Sequence, residues 1–227
     1  PILEQVPYFA EMAEEFLKNT SNMVFIGTNA PVSFFAYPGK KSYLAPDEAN
    51  IIDLCSPNQD GLSALKALSD EAGSSQINSD LIQSGVIDIP TSGKLDQSTL
   101  GPLLASLMPE DAIVSDESAT SGMLVTPHTW KAKPHDWLAL TGGSIGQGLP
   151  LAVGAAIAKP DRPIITLHGD GGAMYTIQAL WTQARESLNI TNIIFANNSY
   201  EILKIELDRV GAVQTGDRAE SMLSLDN

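Results

Sequence analysis

The segment PIITLHG, residues 163–169, is apolar almost throughout and ends in glycine. Continuous apolar strands of this kind are typical of parallel sheets, in which both faces of a strand are buried. Similar strands are predicted at residues 112–116, 137–140 and 192–196. Segments with helical periodicity separate them, at residues 98–108, 145–158, 173–187 and 200–209. Because strands that alternate with helices form parallel sheets flanked by helices, the sequence predicts an α/β fold.

The first third of the chain shows the same alternation on a smaller scale. The pattern predicts helices at residues 9–17, 31–37 and 61–70, a buried strand at residues 22–27 and a further strand at residues 51–55. The segment that follows is rich in Ser, Gly and Asn and has few large apolar residues, which is typical of a linker. We therefore predict part of an α/β domain in residues 1–72, a linker in residues 73–94 and a second α/β domain in residues 95–227.

Charge and composition exclude several kinds of partner. The chain has 13 Lys and Arg against 27 Asp and Glu, a formal net charge of −14, which repels nucleic acid and anionic membranes. Cys55 is the single cysteine, so an internal disulfide is impossible. The sequence has neither a signal-peptide pattern nor the run of about 20 apolar residues that spans a membrane. We expect a cytoplasmic protein without nucleic-acid or membrane partners.

Two turns after neighbouring strands carry groups suited to a metal and a phosphate. In open parallel sheets, ligands bind beyond the carboxyl ends of the strands. In HGDGG, the glycines at 169, 171 and 172 allow backbone amides to approach an anion, and Asp170 adds a carboxylate. A carboxylate beside a phosphate requires a cation, and oxygen ligands favour Mg²⁺ or Ca²⁺. Asn197 or Asn198, after the next strand, can approach Asp170 and add an oxygen ligand.

A third turn, TGGSIGQG at residues 141–148, has the same strand, glycine turn and helix pattern. Its glycines would let a flat ring approach the backbone, and Ile145 is a bulky apolar side chain among them. The GDG turn or the asparagine turn, taken alone, is more typical of a helix cap or an ordinary turn than of a ligand site, and the third is also typical of a tight turn with close helix packing. Three such turns in succession favour a ligand site.

Taken together, these segments resemble a known family. The GDG turn followed by an Asn-containing turn resembles the thiamine-diphosphate motif of the acetolactate synthase and benzoylformate decarboxylase superfamily. TGGSIGQGLP upstream fits that resemblance, and residues 26–44, IGTNAPVSFFAYPGKKSYL, resemble the end of the family's central domain. ANNSYEILKIEL is similar to proteins of the acetolactate synthase large subunit-like group. The resemblance implies a thiamin diphosphate-binding fold, C-terminally incomplete, preceded by the C-terminal part of the central domain.

The resemblance also implies roles for individual residues. Asp170, Asn197 and the Ser199 carbonyl would bind Mg²⁺, with Asn198 as the competing register. The amides of Gly171 and Gly172 would bind the diphosphate. Ile145 would support the thiazolium ring, and the Gly143 carbonyl would accept a hydrogen bond from the aminopyrimidine. The full set of implied cofactor-binding residues is Gly143, Ser144, Ile145, Gly169, Asp170, Gly171, Gly172, Asn197, Ser199 and Tyr200.

The activity implied is that of a thiamine-diphosphate- and Mg²⁺-dependent decarboxylase or carboligase, a lyase or transferase, acting on pyruvate or a related 2-keto acid. A benzoylformate decarboxylase-like lyase is the alternative among enzymes, and a non-catalytic or degenerate cofactor-binding module is the alternative outside them. In the family, the glutamate that activates the cofactor lies in an N-terminal domain. The catalytic residue is therefore unknown, the 227-residue chain alone is expected to be inactive, and the full-length protein is expected to form homodimers or homotetramers. The use of FAD stays open.

Several other polar residues have competing interpretations. The Asp116–Ser118 run ends a strand at the same sheet edge and is interpreted as helix capping or as a ligand contact. His128 and His135 are predicted in a loop near the site, where a substrate contact is the alternative to a surface position. His168 is predicted to pack at a strand end, and Cys55 in the core.

Overall fold

The computed structural model of the protein describes residues 4–73, 87, 89, 92–212 and 216–225. The chain divides into two compact units, Pro1–Ile82 and Gln83–Asn227. Most of the predicted linker, residues 73–94, lies outside the described residues. The predicted domain boundaries therefore stay predictions.

The first unit contains helix α1 (Ala10–Leu17), strands β1 (Asn22–Ile26) and β2 (Asn50–Cys55), and helix α2 (Gly61–Glu71). The two strands pair in parallel. Cys55 is buried, as predicted, whereas in β1 Phe25 is buried and Val24 is 46% exposed. The prediction that β1 is a buried strand is thus wrong for much of its length, because the described sheet of this unit has two strands and leaves much of its surface uncovered.

The helix predicted at residues 31–37 is absent from the described structure, and an extended loop takes its place. The amide of Ser33 donates to the Ser42 carbonyl at 2.7 Å, and the amide of Leu44 donates to the Pro31 carbonyl at 3.0 Å. The rings of Phe34 and Phe35 also pack edge to face, with centroids 5.2 Å apart. Backbone pairing across the loop and aromatic packing therefore prevail over the helix-starting tendency of proline.

The second unit contains the sheet that carries the predicted turns. Its elements are α3 (Gln97–Leu107), β3 (Ala112–Glu117), α4 (Ala119–Gly122), α5 (Thr126–Thr129), β4 (His135–Ala139), α6 (Gly148–Ala158), β5 (Ile164–Gly169), α7 (Asp170–Ala173), α8 (Gln178–Arg185), β6 (Ile190–Phe195), α9 (Glu201–Arg209) and α10 (Asp217–Met222). The sheet order is β4-β3-β5-β6, and all pairs are parallel. The predicted parallel sheet with flanking helices is confirmed.

Two helix predictions in this unit differ from the structure at their N-terminal ends. Helix α6 begins at Gly148 rather than at residue 145, because the preceding glycine turn includes Gly146 with a φ of 93°. The helix predicted at residues 173–187 begins only at Gln178, as α8, after the separate short helix α7, which ends at Ala173. Residues Tyr175 and Thr176, between the two helices, pack against Gly146. Both differences lie where the glycine turn after β4 contacts the segment after α7.

The core lies on the two faces of the four-stranded sheet. One buried cluster is formed by Leu104, Met108, Ala112, Val114, Val125, Ile165 and Leu167, and another by Ile113, Ala152, Ala156 and Ile164. Strand β5 is buried from Ile164 to His168, as its continuous apolar sequence predicts. Among the described residues, no helix has the length and apolar character needed to cross a membrane.

Candidate functional site

The turns predicted to carry chemistry lie at the carboxyl edge of the four-stranded sheet. Strands β3, β5 and β6 end side by side, because Glu117 pairs with His168 and Gly169 pairs with Phe195. The turn after β4 begins at the same edge, since β4 runs parallel to β3. Parallel strands thus bring four segments that are distant in sequence to one edge.

Asp170 contacts the Asn197–Asn198 turn directly. One carboxylate oxygen of Asp170, Oδ2, accepts a hydrogen bond from the amide of Asn198 at 2.7 Å. The other, Oδ1, accepts from the amide of Gly171 at 2.9 Å. The approach of the two turns, predicted from the adjacency of their strands, is therefore present in the structure.

The two asparagines occupy different positions in their turn. The side-chain oxygen of Asn197 accepts a hydrogen bond from the amide of Ser199 at 3.0 Å, and its nitrogen lies 3.4 Å from Ser121 Oγ. Asn198 has a φ of 54°, in the left-handed region, and approaches Asp170 through its backbone amide. The choice between the two as metal ligand stays a prediction.

A C-terminal segment of the chain supports this asparagine turn. Ser199 and Ser224 form an isolated antiparallel bridge. The amide of Tyr200 donates to the Leu223 carbonyl at 3.0 Å, and the amide of Leu225 donates to the Asn198 carbonyl at 2.8 Å. Because backbone groups on both sides of Ser199 are paired, its carbonyl is held in a defined position beside Asp170's turn.

Tyr200 packs against the GDGG turn. A Cβ atom added at Gly171 would lie 2.8 Å from the Tyr200 ring, a distance that side chains do not tolerate without movement. Glycine at position 171 therefore lets the aromatic ring approach the backbone of the turn. This contact brings the predicted residues Gly171 and Tyr200 together.

The glycine turn after β4 exposes the side chain predicted to contact a ring. Gly142 and Gly143 have φ values of 58° and 70°, which glycine adopts without strain. The amide of Ile145 donates to the Gly143 carbonyl at 2.8 Å. Ser144 is exposed, and Ile145 is 51% exposed. A large apolar side chain thus projects from a tight turn at the sheet edge, as a surface for a flat apolar ligand requires.

Thr176 connects this turn with the segment after β5. Its hydroxyl donates to the Gly146 carbonyl at 2.5 Å. Met174, Tyr175 and Ile177 in the same segment are 57%, 61% and 45% exposed. An apolar surface therefore adjoins the contact between the two turns. Nothing in the sequence pattern identified Thr176.

Glu117 is a buried carboxylate at the centre of this arrangement. It is 4% exposed, its Oε1 accepts from the amide of Gly146 at 2.5 Å, and its Oε2 accepts from the amide of Gly148 at 2.6 Å. The Nε2 atom of His168 lies 3.0 Å from Oε2. Burial would raise the pKa of Glu117, but the contact with His168 and the two amide hydrogen bonds together lower the pKa below its ordinary value.

The Asp116–Ser118 run therefore divides into two roles. Asp116 Oδ1 accepts from the amide and the hydroxyl of Ser118, at 3.0 and 2.5 Å. This contact is local, but the predicted helix capping is not observed, because Ser118 is the N-cap of α4 and no side chain bonds to the amides of its first turn. Glu117 instead faces the interior and connects turns that the sequence analysis treated as separate. The one sequence signal for Glu117 is a second carboxylate, directly after Asp116, at the end of a buried strand.

The histidines separate into a buried one and two outside the strand-end turns. His168 is fully buried at the end of β5, which confirms its predicted position. His135 begins β4, at the opposite end of that strand from the glycine turn, and its Nδ1 lies 2.7 Å from the Lys133 carbonyl. His128 packs against Gly101 of α3. The predicted position of His135 near the site is thus wrong, because the strand begins earlier than the sequence pattern indicated.

The donor set at the sheet edge fits a hard divalent cation. Within the described parts of the chain, no cluster of three or more His, Cys, Asp or Glu side chains is present. Asp170 offers a carboxylate, Asn197 a side-chain amide oxygen and Ser199 a backbone carbonyl. Mg²⁺ binds through such oxygen ligands and uses few carboxylates when phosphate oxygens complete its shell.

Comparison with known proteins identifies the class of this domain. Residues 118–224 match the family described as thiamine pyrophosphate enzyme, C-terminal TPP binding domain. The match includes the glycine turn, the Asp170 turn and the asparagine turn. Residues 118–224 therefore form a TPP-binding domain of the thiamine pyrophosphate enzyme family, as the motifs predicted.

Two individual proteins show the extent of the similarity. The chain is 45% identical over 226 residues to the acetolactate synthase large subunit-like protein IlvX of Mycobacterium tuberculosis, covering 99% of this chain and 43% of that protein. It is 35% identical over 112 residues to benzoylformate decarboxylase of Pseudomonas aeruginosa, covering 49% of this chain and 21% of that enzyme. The chain therefore spans less than half the length of these relatives.

A solved structure shows the same fold. The thiamine diphosphate-dependent 4-hydroxybenzoylformate decarboxylase of Rhodococcus jostii RHA1 matches with a TM-score of 0.72 and 25% sequence identity. The match covers 98% of this chain and 43% of that enzyme. The parallel sheet and its flanking helices are thus those of a thiamine-diphosphate-dependent enzyme.

Proposed function

We propose that this chain forms the diphosphate- and Mg²⁺-binding part of an acetolactate synthase-like enzyme that decarboxylates pyruvate or a related 2-keto acid, or ligates it to a second carbonyl compound. The observation that carries the proposal is the hydrogen bond between Asp170 and the Asn197–Asn198 turn at adjacent strand ends. The glycine turn with the exposed Ile145 lies at the same edge. The relationship to acetolactate synthase-like and keto-acid decarboxylating enzymes supports the substrate class.

The metal and the diphosphate would bind to groups that the two turns bring together. The Asp170 carboxylate, the Asn197 amide oxygen and the Ser199 carbonyl would hold Mg²⁺. The amide of Gly171 donates to Asp170 in this structure. A metal ion on the carboxylate would replace that contact, so the amides of Gly171 and Gly172 would be available to diphosphate oxygens.

Residues of the glycine turn would orient the remainder of the cofactor. When bound, thiamine diphosphate supplies a nucleophilic carbon that adds to the keto group and stabilises the negative charge left by decarboxylation. Ile145 would support one ring, and its exposed side chain would exclude water from that surface. The Gly143 carbonyl accepts one hydrogen bond from Ile145 and retains a second lone pair for the aminopyrimidine.

A calorimetric titration tests the cofactor site. We expect the protein encoded by the full open reading frame to bind thiamine diphosphate in the presence of Mg²⁺. The Asp170→Ala variant should lose Mg²⁺-dependent binding, because it removes the carboxylate of the metal site. The control variant Asp161→Ala removes an exposed aspartate before β5 and should bind thiamine diphosphate with wild-type affinity. Equal affinity in all three proteins would contradict the assignment.

Two alternatives make different predictions in the same system. A benzoylformate decarboxylase-like lyase, favoured by the 35% identical relative, would release CO₂ from benzoylformate faster than from pyruvate. A non-catalytic module would bind the cofactor without turning over either substrate. The absorbance spectrum of the purified protein would show whether FAD is bound.

The 227-residue chain alone is proposed to be inactive. The family resemblance places the activating glutamate in an N-terminal domain, and the part of the cofactor opposite the diphosphate would be left open to water. The complete protein is proposed to be a cytoplasmic homodimer or homotetramer. Cofactor-dependent CO₂ release from pyruvate by the isolated chain would contradict the first proposal, and a monomeric mass in solution would contradict the last.

A further inference from the structure

Glu117 connects three segments of the sheet edge that are far apart in sequence. It ends β3, it accepts hydrogen bonds from the amides of Gly146 and Gly148 in the turn after β4, and it lies against His168 at the end of β5. The glutamate and the histidine are both buried. A buried carboxylate with two amide donors constrains the groups that it contacts far more than an exposed one does.

The space around this carboxylate is shaped by two glycines. A Cβ atom at Gly148 would lie 2.8 Å from the His168 ring and 3.0 Å from Glu117 Cβ. A Cβ atom at Gly172 would lie 3.0 Å from Glu117 Oε1 and 3.1 Å from the His168 ring. Glycine at these two positions therefore allows the glycine turn and the GDGG turn to close around the same pair of side chains.

Gly146 is held on both sides of its backbone. Its amide donates to Glu117, and its carbonyl accepts from the hydroxyl of Thr176 at 2.5 Å. Gly148 is the first residue of α6, where amides have no partner within the helix, so Glu117 also satisfies one of these amides. Ile145 directly precedes the doubly held Gly146, so the position of its backbone depends on these contacts.

We infer that Glu117 is a positioning residue, which holds the Gly146 and Gly148 amides so that Ile145 keeps the orientation required to support the bound cofactor. This inference rests on the proposed function. Glu117 acts through the turn rather than on substrate. Displacement of a supporting group by about 1 Å can lower turnover by about 100-fold without comparable loss of binding.

The test uses Glu117→Gln in the protein encoded by the full open reading frame. Glutamine accepts one amide hydrogen bond and places its own NH₂ group against the second amide donor. Hydrogen exchange of the Gly146 and Gly148 amides should accelerate about tenfold, since one strong hydrogen bond is lost. With thiamine diphosphate, Mg²⁺ and pyruvate, kcat should fall by about 10- to 100-fold while cofactor affinity changes less than about threefold.

Two further variants complete the experiment. Thr176→Val removes the donor on the other side of Gly146 and should change exchange and kcat in the same direction, which keeps the test decisive if Glu117→Gln folds poorly. Glu110→Gln is the control, because Glu110 is exposed and precedes β3, the strand that Glu117 ends. This substitution should leave the exchange rates and kcat unchanged. Wild-type exchange in both test variants, or faster exchange with unchanged kcat, would overturn the inference. A wild-type protein that binds no thiamine diphosphate would overturn the proposed function, and the exchange rates would then support or overturn the role of Glu117 in the turn.

Discussion

The amide of Asn198 donates a hydrogen bond to Asp170 Oδ2 at 2.7 Å, across the ends of the adjacent strands β5 and β6. This contact joins the two turns that the family resemblance assigns to one metal site. Asn197 and Ser199 flank Asn198 in the turn that this hydrogen bond connects to Asp170. The predictions below concern this edge and the glycine turn next to it.

The first prediction concerns the choice of asparagine. Asn197→Ala should weaken Mg²⁺-dependent binding of thiamine diphosphate by about tenfold or more, because it removes the side chain proposed as a metal ligand. Asn198→Ala should have a smaller effect, because Asn198 contacts Asp170 through its backbone amide. Calorimetric titration of the two variants measures the difference. The reverse order of effects would assign Asn198 as the ligand.

The second prediction concerns Ile145. Ile145→Ala should lower kcat by about tenfold while cofactor affinity changes less, since the proposed site holds the diphosphate and the metal on other turns. Steady-state kinetics with varied thiamine diphosphate separates the two quantities. Ile157→Ala is a suitable control, because Ile157 is 63% exposed near the end of α6. Full turnover in the Ile145 variant would remove this residue from the site.

The third prediction is a pH dependence of stability. The pKa of Glu117 in the folded protein is lowered from its ordinary value of 4.5. Its carboxylate therefore contributes stability that is fully present above about pH 4.5 and is lost as the pH falls through the folded pKa. The difference in free energy of unfolding between wild type and Glu117→Gln, measured with urea, should shrink as the pH falls below about 4.5. A difference that is constant between neutral and acidic pH would contradict this prediction.

The fourth prediction compares two glycine substitutions. Gly171→Ala should lower the free energy of unfolding by about 1–3 kcal/mol, because the added methyl group meets the Tyr200 ring. Gly154→Ala should raise it by about 0.5–1 kcal/mol, because Gly154 lies inside α6 with open space around it. Urea unfolding of the 227-residue chain measures both. Equal effects of the two substitutions would show that the Tyr200 contact does not constrain the turn.

Much of the second unit follows from local pattern. The strands at residues 112–116, 163–169 and 192–196 were predicted near their observed positions, because buried parallel strands are apolar over short continuous runs. The approach of Asp170 to the asparagine turn followed from the adjacency of parallel strand ends. The prediction of a helix at residues 31–37 was wrong, because the backbone of this segment pairs with residues 42–44, a contact that local periodicity does not reveal.

The sequence alone identifies the strand-end turns, because glycines, acidic residues and asparagines follow its apolar runs. The same motifs indicate the family whose cofactor-binding turns they resemble. The tertiary structure determines which of these turns contact one another. Glu117 bonds to amides 29 and 31 positions away, and Thr176 bonds to a carbonyl 30 positions away. The reason is physical: local residue patterns specify the conformation of each segment, whereas a buried carboxylate acquires its partners only when parallel strands bring distant turns to one edge.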